Sequence, residues 1–226
     1  MKIIITGGSG FVGSNLTNFL IKQNHEIILF VRNKNKLKNI TANHNVIIEF
    51  VDVTNYSELS KSLTIHKPDV IFHLAGETSH QKSFENPMYD VDVNAKSTLC
   101  ILETIRKSDL KCRFILGSTF IVIGKPENLP INESTSCNPT TIYGANRLTS
   151  EHYCKIYSNL YEIDTVIFRI TNLFGPEYVV KPIAGGSSIG ARMASSPSTL
   201  VKAIEGIFET HDDVLIEQRI RGREAT

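Results

Sequence analysis

What this 226-residue chain lacks narrows it first. Its formal net charge is only +1, so no global field draws nucleic acid or an anionic membrane, and small-molecule partners are favoured. Its four cysteines, Cys100, Cys112, Cys137 and Cys154, form no C-x-x-C pair and no zinc spacing, which reads as free thiols in a reducing compartment. No signal-type apolar segment precedes the first strand, and no run approaches membrane-spanning length. The expectation is a cytoplasmic protein with no nucleic-acid, membrane or metal partner. A hydrophobic content of 41% and a charged content of 21% are ordinary, and the length allows one sizeable core plus a smaller unit.

What is there begins with Thr6-Gly-Gly-Ser-Gly-Phe-Val-Gly13. It follows the apolar stretch Lys2-Ile3-Ile4-Ile5 and opens onto the amphipathic segment Phe11–Lys22. Strand, tight glycine turn and helix start together make a phosphate site. The first helical N–H groups, around Phe11 and Val12, have no intrahelical partner and sit at the positive end of the helix dipole. Gly7 suits the tight turn, Gly10 the close approach of backbone to phosphate, and Gly13 the packing of helix on strand.

Further strands are expected at Glu26–Val31, Val46–Val51, Asp69–Leu74, Arg113–Leu116 and Ile163–Ile170. Helices are expected at Tyr56–Ile65, as one long element at Met88–Lys107, and over Arg147–Leu160. This alternation predicts an α/β fold, a doubly wound parallel sheet of Rossmann type covered on both faces. Ligands in such sheets bind beyond the carboxyl ends of the strands.

The strand ends carry chemistry. Asp52, with Val53 beside it, is placed either to accept from an adenine amino group or to cap the next helix. His73-Leu74-Ala75-Gly76 closes the fourth strand with small residues that admit a cofactor, and His73 reads as a satisfied half-buried histidine rather than a catalyst. Asn94 lies on one face of the long helix, beneath the cofactor. Gly117-Ser118-Thr119 puts two hydroxyls at the cleft mouth. Tyr143 and Arg147 share a helix face, either as solvated surface or as an acid–base pair. A neighbouring cation favours the phenolate form of a tyrosine, which can then exchange a proton with a substrate hydroxyl.

Residues 1–176 resemble the extended short-chain dehydrogenase/reductase family, in its NAD-dependent nucleotide-sugar epimerase/dehydratase branch. The resemblance rests on TGGSGFVG at 6–13, FHLAG at 72–76, DVNAKSTLCILE at 92–103, GSTFIVIG at 117–124, NPTTIYGANRL at 138–148 and FRITNLFGP at 168–176. It implies a nucleotide-sugar substrate, a catalytic hydroxyl at Thr119, an acid/base at Tyr143, a cation at position 147 and a cofactor or substrate contact at Asn172. It also implies oxidation of a sugar hydroxyl to a ketone, with hydride return giving an epimer. Dimers built on helix pairs are common in the family, so a homodimer is expected.

Three departures from the pattern stand out. Arg147 stands where the family has lysine, and a forked guanidinium does not simply replace an ammonium. Phe120 and Ile121 replace the Asp-Glu of dehydratases, which excludes water elimination and leaves epimerase or reductase chemistry. Val31-Arg32 replaces the ribose-binding acid, so Arg32, Lys34 and Lys36 favour NADP(H) over NAD(H) unless they are merely a solvated loop.

From about Tyr178 the chain instead resembles part of an ATP-grasp ligase of the D-alanine–D-alanine type, in YVVKPIAGGSSIGARM and LVKAIEGIFETHDDVLIEQRIRGREAT. This implies a small incomplete α+β piece over residues 177–226. Its ATP contacts would be Lys181, Ser187, Ser188, Glu217, Gln218, Ile220 and Glu224. The expectation is a fusion, a recombined gene or a fragment of a longer reading frame. A non-catalytic NAD(P)-binding protein is the alternative to an enzyme.

Overall fold

A computed structural model describes residues 1–33, 37, 40, 43–126, 131–170, 178–182, 192–194, 199, 202–203, 205–206, 209 and 214–218, with the strands from 178 onward as backbone only. The chain divides into two compact units, Met1–Thr171 and Asn172–Thr226.

The first unit runs β1 (Lys2–Thr6), α1 (Phe11–Ile21), β2 (Glu26–Val31), β3 (Val46–Phe50), α2 (Tyr56–His66), β4 (Val70–His73), α3 (His80–Glu85), α4 (Pro87–Val91), α5 (Ser97–Lys107), β5 (Arg113–Thr119), α6 (Ile142–Tyr161) and β6 (Thr165–Ile170). Six strands form one sheet in the order β3-β2-β1-β4-β5-β6, every pairing parallel. The order reverses between β1 and β4, the point at which a doubly wound sheet opens a crevice.

Alternation along the strands splits the core in two. Ile4, Ile28, Phe30, Ile71, Phe114 and Leu116 pack on one face with Leu59, Leu63, Ile101, Leu102, Ile105 and Cys154 of α2, α5 and α6. Ile3, Ile5, Ile27, Leu29 and Val31 pack on the other with Leu16 and Leu20 of α1. Each such aliphatic side chain contributes roughly 1.5–3 kcal/mol on burial. β3 is one of the two edge strands, and its Ile47, Ile48 and Phe50 stay exposed although the sequence reads as buried. The four cysteines are free. No helix among the described residues is long and apolar enough to cross a membrane.

One helix differs from its sequence reading. The long helix expected at Met88–Lys107 is interrupted by a π-helical turn at Asp92–Lys96, the one-residue widening that is frequent at functional sites. The helix expected to carry Tyr143, Arg147 and Leu160 runs over Ile142–Tyr161 and starts where the Thr141 hydroxyl accepts the Gly144 N–H at 3.0 Å. Tyr143 therefore lies in the first turn of α6.

In the second unit β7 (Tyr178–Pro182), β8 (Arg192–Ala194) and β9 (Val214–Gln218) form an antiparallel sheet ordered β8-β7-β9. Residues 199, 202–203 and 205–206 are helical.

Candidate active site and cofactor cleft

The glycine turn meets two of the backbone demands read from its spacing, those at Gly7 and Gly13. Gly7 has φ +69°, and its N–H bonds the Phe30 carbonyl at 3.1 Å. A Cβ there would stand 2.7 Å from the Ala75 nitrogen. A Cβ on Gly13 would overlap the Gly7 carbonyl oxygen and come within 2.8 Å of Gly8 Cα, so this glycine lets α1 sit against the turn. Gly10 differs: a Cβ would meet only the Gly7 oxygen, at 3.2 Å, and otherwise open space. Gly10 is also the N-cap of α1, which has no side-chain cap and no acidic residue in its first turn. The amides that open the helix at Phe11 and Val12 thus lie at an N-terminus no side chain neutralises, and the face beside Gly10 is clear for a phosphate.

Above the turn lies a cleft of about 230 Å³. Gly7 and Gly10 line one end, Arg32, Asp52 and Val53 the ends of β2 and β3, and Leu74, Ala75 and Gly76 the end of β4. These residues were all singled out in the sequence. Phe30, Glu77, Tyr89 and Val93 also line it and were not. Glu77 had a positional signal, since it directly follows Gly76; Tyr89 had none. Asp52 does not cap α2, whose N-cap is Asn55. Its Oδ1 instead accepts the Thr54 N–H at 2.9 Å and the Thr54 hydroxyl at 2.8 Å, an Asx turn that fixes the carboxylate at the cleft wall. Arg32 donates through Nη1 to the Tyr89 hydroxyl. Lys34 and Lys36 lie outside the described residues.

His73 is fully buried and bonded at both nitrogens, to Thr6 Oγ1 at 2.8 Å and to Ser97 Oγ at 3.0 Å. The donors fix its tautomer. Ser97 spends its proton on the Val93 carbonyl at 2.7 Å, so it accepts from Nε2–H, and Nδ1 accepts from the Thr6 hydroxyl. That hydroxyl in turn accepts the Ala75 N–H at 3.1 Å. One buried chain of bonds therefore ties the end of β1, the cleft-lining loop at Ala75 and the π-turn together. His73 is a satisfied structural histidine, as its sequence context indicated.

Burial, and then the Arg147 charge, lower its pKa from 6.5 to about 3. A histidine held neutral by the fold stabilises it fully above the unfolded value, and this contribution is lost as pH falls from 6.5 towards about 3. The slope in that window is about 1.4 kcal/mol per pH unit. Urea unfolding at pH 7 and pH 5 should therefore show a loss of about 2 kcal/mol that is missing from His73→Gln. An equal loss in the variant would remove His73 as its source.

The proposed chemistry converges on Gly76. Asn94 is fully buried, donates Nδ2 to the Glu77 carbonyl at 3.0 Å, and leaves Oδ1 without a partner. A Cβ on Gly76 would lie 2.6 Å from that Oδ1 and would overlap Arg147 Nη2. Arg147 is only 2% exposed, and its Nε and Nη1 find no acceptor among the described residues. Its guanidinium lies 5.7 Å from the centroid of the Tyr143 ring, and Tyr143 is itself buried. This pair is no solvated helix face. His80 meets the same ring edge-on at 5.7 Å, a neighbour no sequence pattern marks.

The two hydroxyls of β5 take different roles. Thr119 accepts the Ile121 N–H at 3.3 Å and caps the 3₁₀ turn Phe120–Ile123, in which the dehydratase acids are absent. Ser118 donates to buried Glu151 at 2.6 Å, and Arg169 pairs with that carboxylate at 2.8 Å, because successive strand residues face opposite sides. Asn172, Ser187, Ser188, Ile220 and Glu224 lie outside the described residues. Lys181 in β7, and Glu217 and Gln218 in β9, are described as backbone only. No group of His, Cys, Asp or Glu among the described residues could hold a metal ion.

A parallel sheet in this strand order, with an uncapped glycine turn at its reversal point, defines a dinucleotide-binding α/β fold. Residues 3–195 match the family model described as NAD dependent epimerase/dehydratase family, and the chain belongs to that family. The match runs past Pro176, through residue 195.

The chain is 35% identical over 192 residues to a putative UDP-glucose 4-epimerase of Methanocaldococcus jannaschii, covering 83% of this chain and 61% of that protein. It is 31% identical over 198 residues to CDP-paratose 2-epimerase of Salmonella typhi, covering 77% and 58%. Among solved structures, UDP-glucuronic acid 4-epimerase of Bacillus cereus, in complex with UDP-glucuronic acid and NAD, superimposes with a TM-score of 0.70 at 28% identity, covering 78% of this chain and 58% of that one. The chain thus spans about three-fifths of the length of the curated relatives it matches.

Proposed function

We propose that the chain binds a nicotinamide dinucleotide in the cleft beyond β1 and β4 and acts on a nucleotide sugar as an epimerase or reductase. One observation carries the reading: Arg147, buried beside Tyr143, has unused donors and reaches Gly76, a residue of the cleft lining. It joins a proton-transfer pair to the cofactor wall. The residues fit the group, since α1 leaves its N-terminal amides uncapped, Gly10 leaves them approachable, and Arg147 leaves N–H donors for a ribose.

When bound, the nicotinamide supplies the acceptor and donor of hydride. The chain's own residues manage protons and position. Tyr143 takes the proton of the sugar hydroxyl as that carbon loses hydride, and returns it when hydride comes back. Arg147 stabilises the phenolate and orients the ribose. Thr119 hydrogen-bonds the reacting oxygen, and Asn172 contacts cofactor or substrate. Phe120 and Ile121 favour epimerase or reductase chemistry over dehydration. Arg32, which pairs with no carboxylate among the described residues, supports NADP(H) over NAD(H).

Arg147, a guanidinium where the family has lysine, favours a second reading, a non-catalytic NAD(P) binder. Turnover of UDP-glucose by the chain and by Arg147→Lys, with cofactor added, separates the two. The enzyme reading expects turnover that rises at least roughly tenfold in the lysine variant, the scale of one charged hydrogen bond. Cofactor binding with no sugar consumed by either protein leaves the binder.

For residues 177–226 the reading is an incomplete ATP-grasp-like unit with Lys181 on the phosphates. Its support is the antiparallel β8-β7-β9 sheet and the VVKP and LIEQ strands. ATP added in the same assay then protects this unit from protease, and absence of protection removes the reading.

A further inference from the structure

We propose that Tyr89 is a specificity residue for the cofactor, holding Arg32 in place to receive a 2′-phosphate. The inference rests on the reading of the cleft as a nicotinamide-dinucleotide site. Arg32 directly follows β2, Tyr89 lies on α4, and both line the cleft beside Asp52. Their hydrogen bond joins two of its walls across 57 positions of sequence.

The chemistry of the partner matters. A carboxylate in Tyr89's place would cancel the guanidinium's charge and repel a phosphate. A phenol accepts one N–H and leaves the charge intact, with further donors of the fork free to meet phosphate oxygens bidentately. An arginine ordered before the ligand arrives also loses less freedom on binding.

Tyr89 is itself firmly mounted. Its N–H is accepted by the side chain of Asn86, the N-cap of α4, at 3.2 Å, and Pro87 fixes the first helical position. The next residue, Asp90, accepts from Asn146 of α6 at 2.7 Å. The tyrosine thus acts on the cofactor through Arg32, as a positioning group, from a short helix pinned at both ends.

The test is nicotinamide-fluorescence titration with NADPH and with NADH of the wild-type chain, Tyr89→Phe, Arg32→Met and the double variant. Melting temperatures serve as the folding control. Tyr89→Phe keeps the ring and loses one hydrogen bond to a charged group, so NADPH affinity is expected to fall roughly tenfold while NADH affinity stays within about twofold. The double variant is expected to bind NADPH no worse than Arg32→Met, because the tyrosine acts through the arginine. If Arg32→Met selectively loses NADPH while Tyr89→Phe binds both cofactors as the wild type does, this proposal falls and the 2′-phosphate reading of Arg32 survives. If Arg32→Met shows no selective loss of NADPH, both fall.

Discussion

Gly10→Ala is expected to remove cofactor binding without unfolding the chain, and Gly13→Val to damage both. The two glycines lie three residues apart in one turn, yet their surroundings differ. At Gly10 an added Cβ touches only the Gly7 oxygen, at 3.2 Å, and its φ of −74° suits alanine. The loss should be the modest one of an N-cap alanine, about 1 kcal/mol or less, and a fall in melting temperature of no more than about 4 °C. The same methyl occupies the approach of the pyrophosphate, so affinity for NADPH should fall by at least about a hundredfold, equivalent to about 2.7 kcal/mol. At Gly13 the added Cβ overlaps the Gly7 oxygen and crowds Gly8 Cα. These are backbone atoms that cannot rotate away, so α1 must lift off the turn. Overpacking of this kind costs about 3 kcal/mol, which lowers the melting temperature by about 6–12 °C. Thermal melts and NADPH titrations of both variants check the contrast; equal melting losses would show that Gly10 is structural as well.

Arg147→Met should move stability and binding in opposite directions. The arginine stays charged, is almost wholly buried, and leaves Nε and Nη1 without a partner among the described residues. Its contact with the Tyr143 ring at 5.7 Å offsets only part of that desolvation. An apolar side chain of similar length should therefore stabilise the chain by about 1–4 kcal/mol and raise its melting temperature accordingly. It should also weaken NADPH binding by roughly ten- to a hundredfold, the scale of a lost charged hydrogen bond. A structural arginine would give the reverse, a lower melting temperature with affinity unchanged.

The glycine turn was legible because two of its backbone demands, a positive φ at Gly7 and a helix seat at Gly13, each admit almost one residue type. The strand ends were legible for the same kind of reason, since a parallel sheet gathers them on one side. The π-turn was not. Apolar positions at Val91, Ala95, Leu99, Leu102 and Ile105 keep a helical period through it, and a one-residue widening leaves no compositional trace. The Thr6–His73–Ser97 chain depends on strand register, with Thr6 opposite His73, and no local pattern encodes that pairing. The link from Arg32 to Tyr89 is a contact between distant segments and is invisible for the same reason. Ser118 is different: strand alternation already separates it from Thr119, so its turn towards Glu151 could have been read from the sequence.

The central claim is that the cleft above the glycine turn holds a nicotinamide dinucleotide, with its pyrophosphate on the N-terminus of α1. Titration of the wild-type chain and of Gly10→Ala with NADPH, followed by nicotinamide fluorescence, tests it most directly. The account predicts saturable binding at one cofactor per chain, lost in a variant that still melts within about 4 °C of the wild type. Equal binding by the two proteins, or none by the wild type, would contradict it.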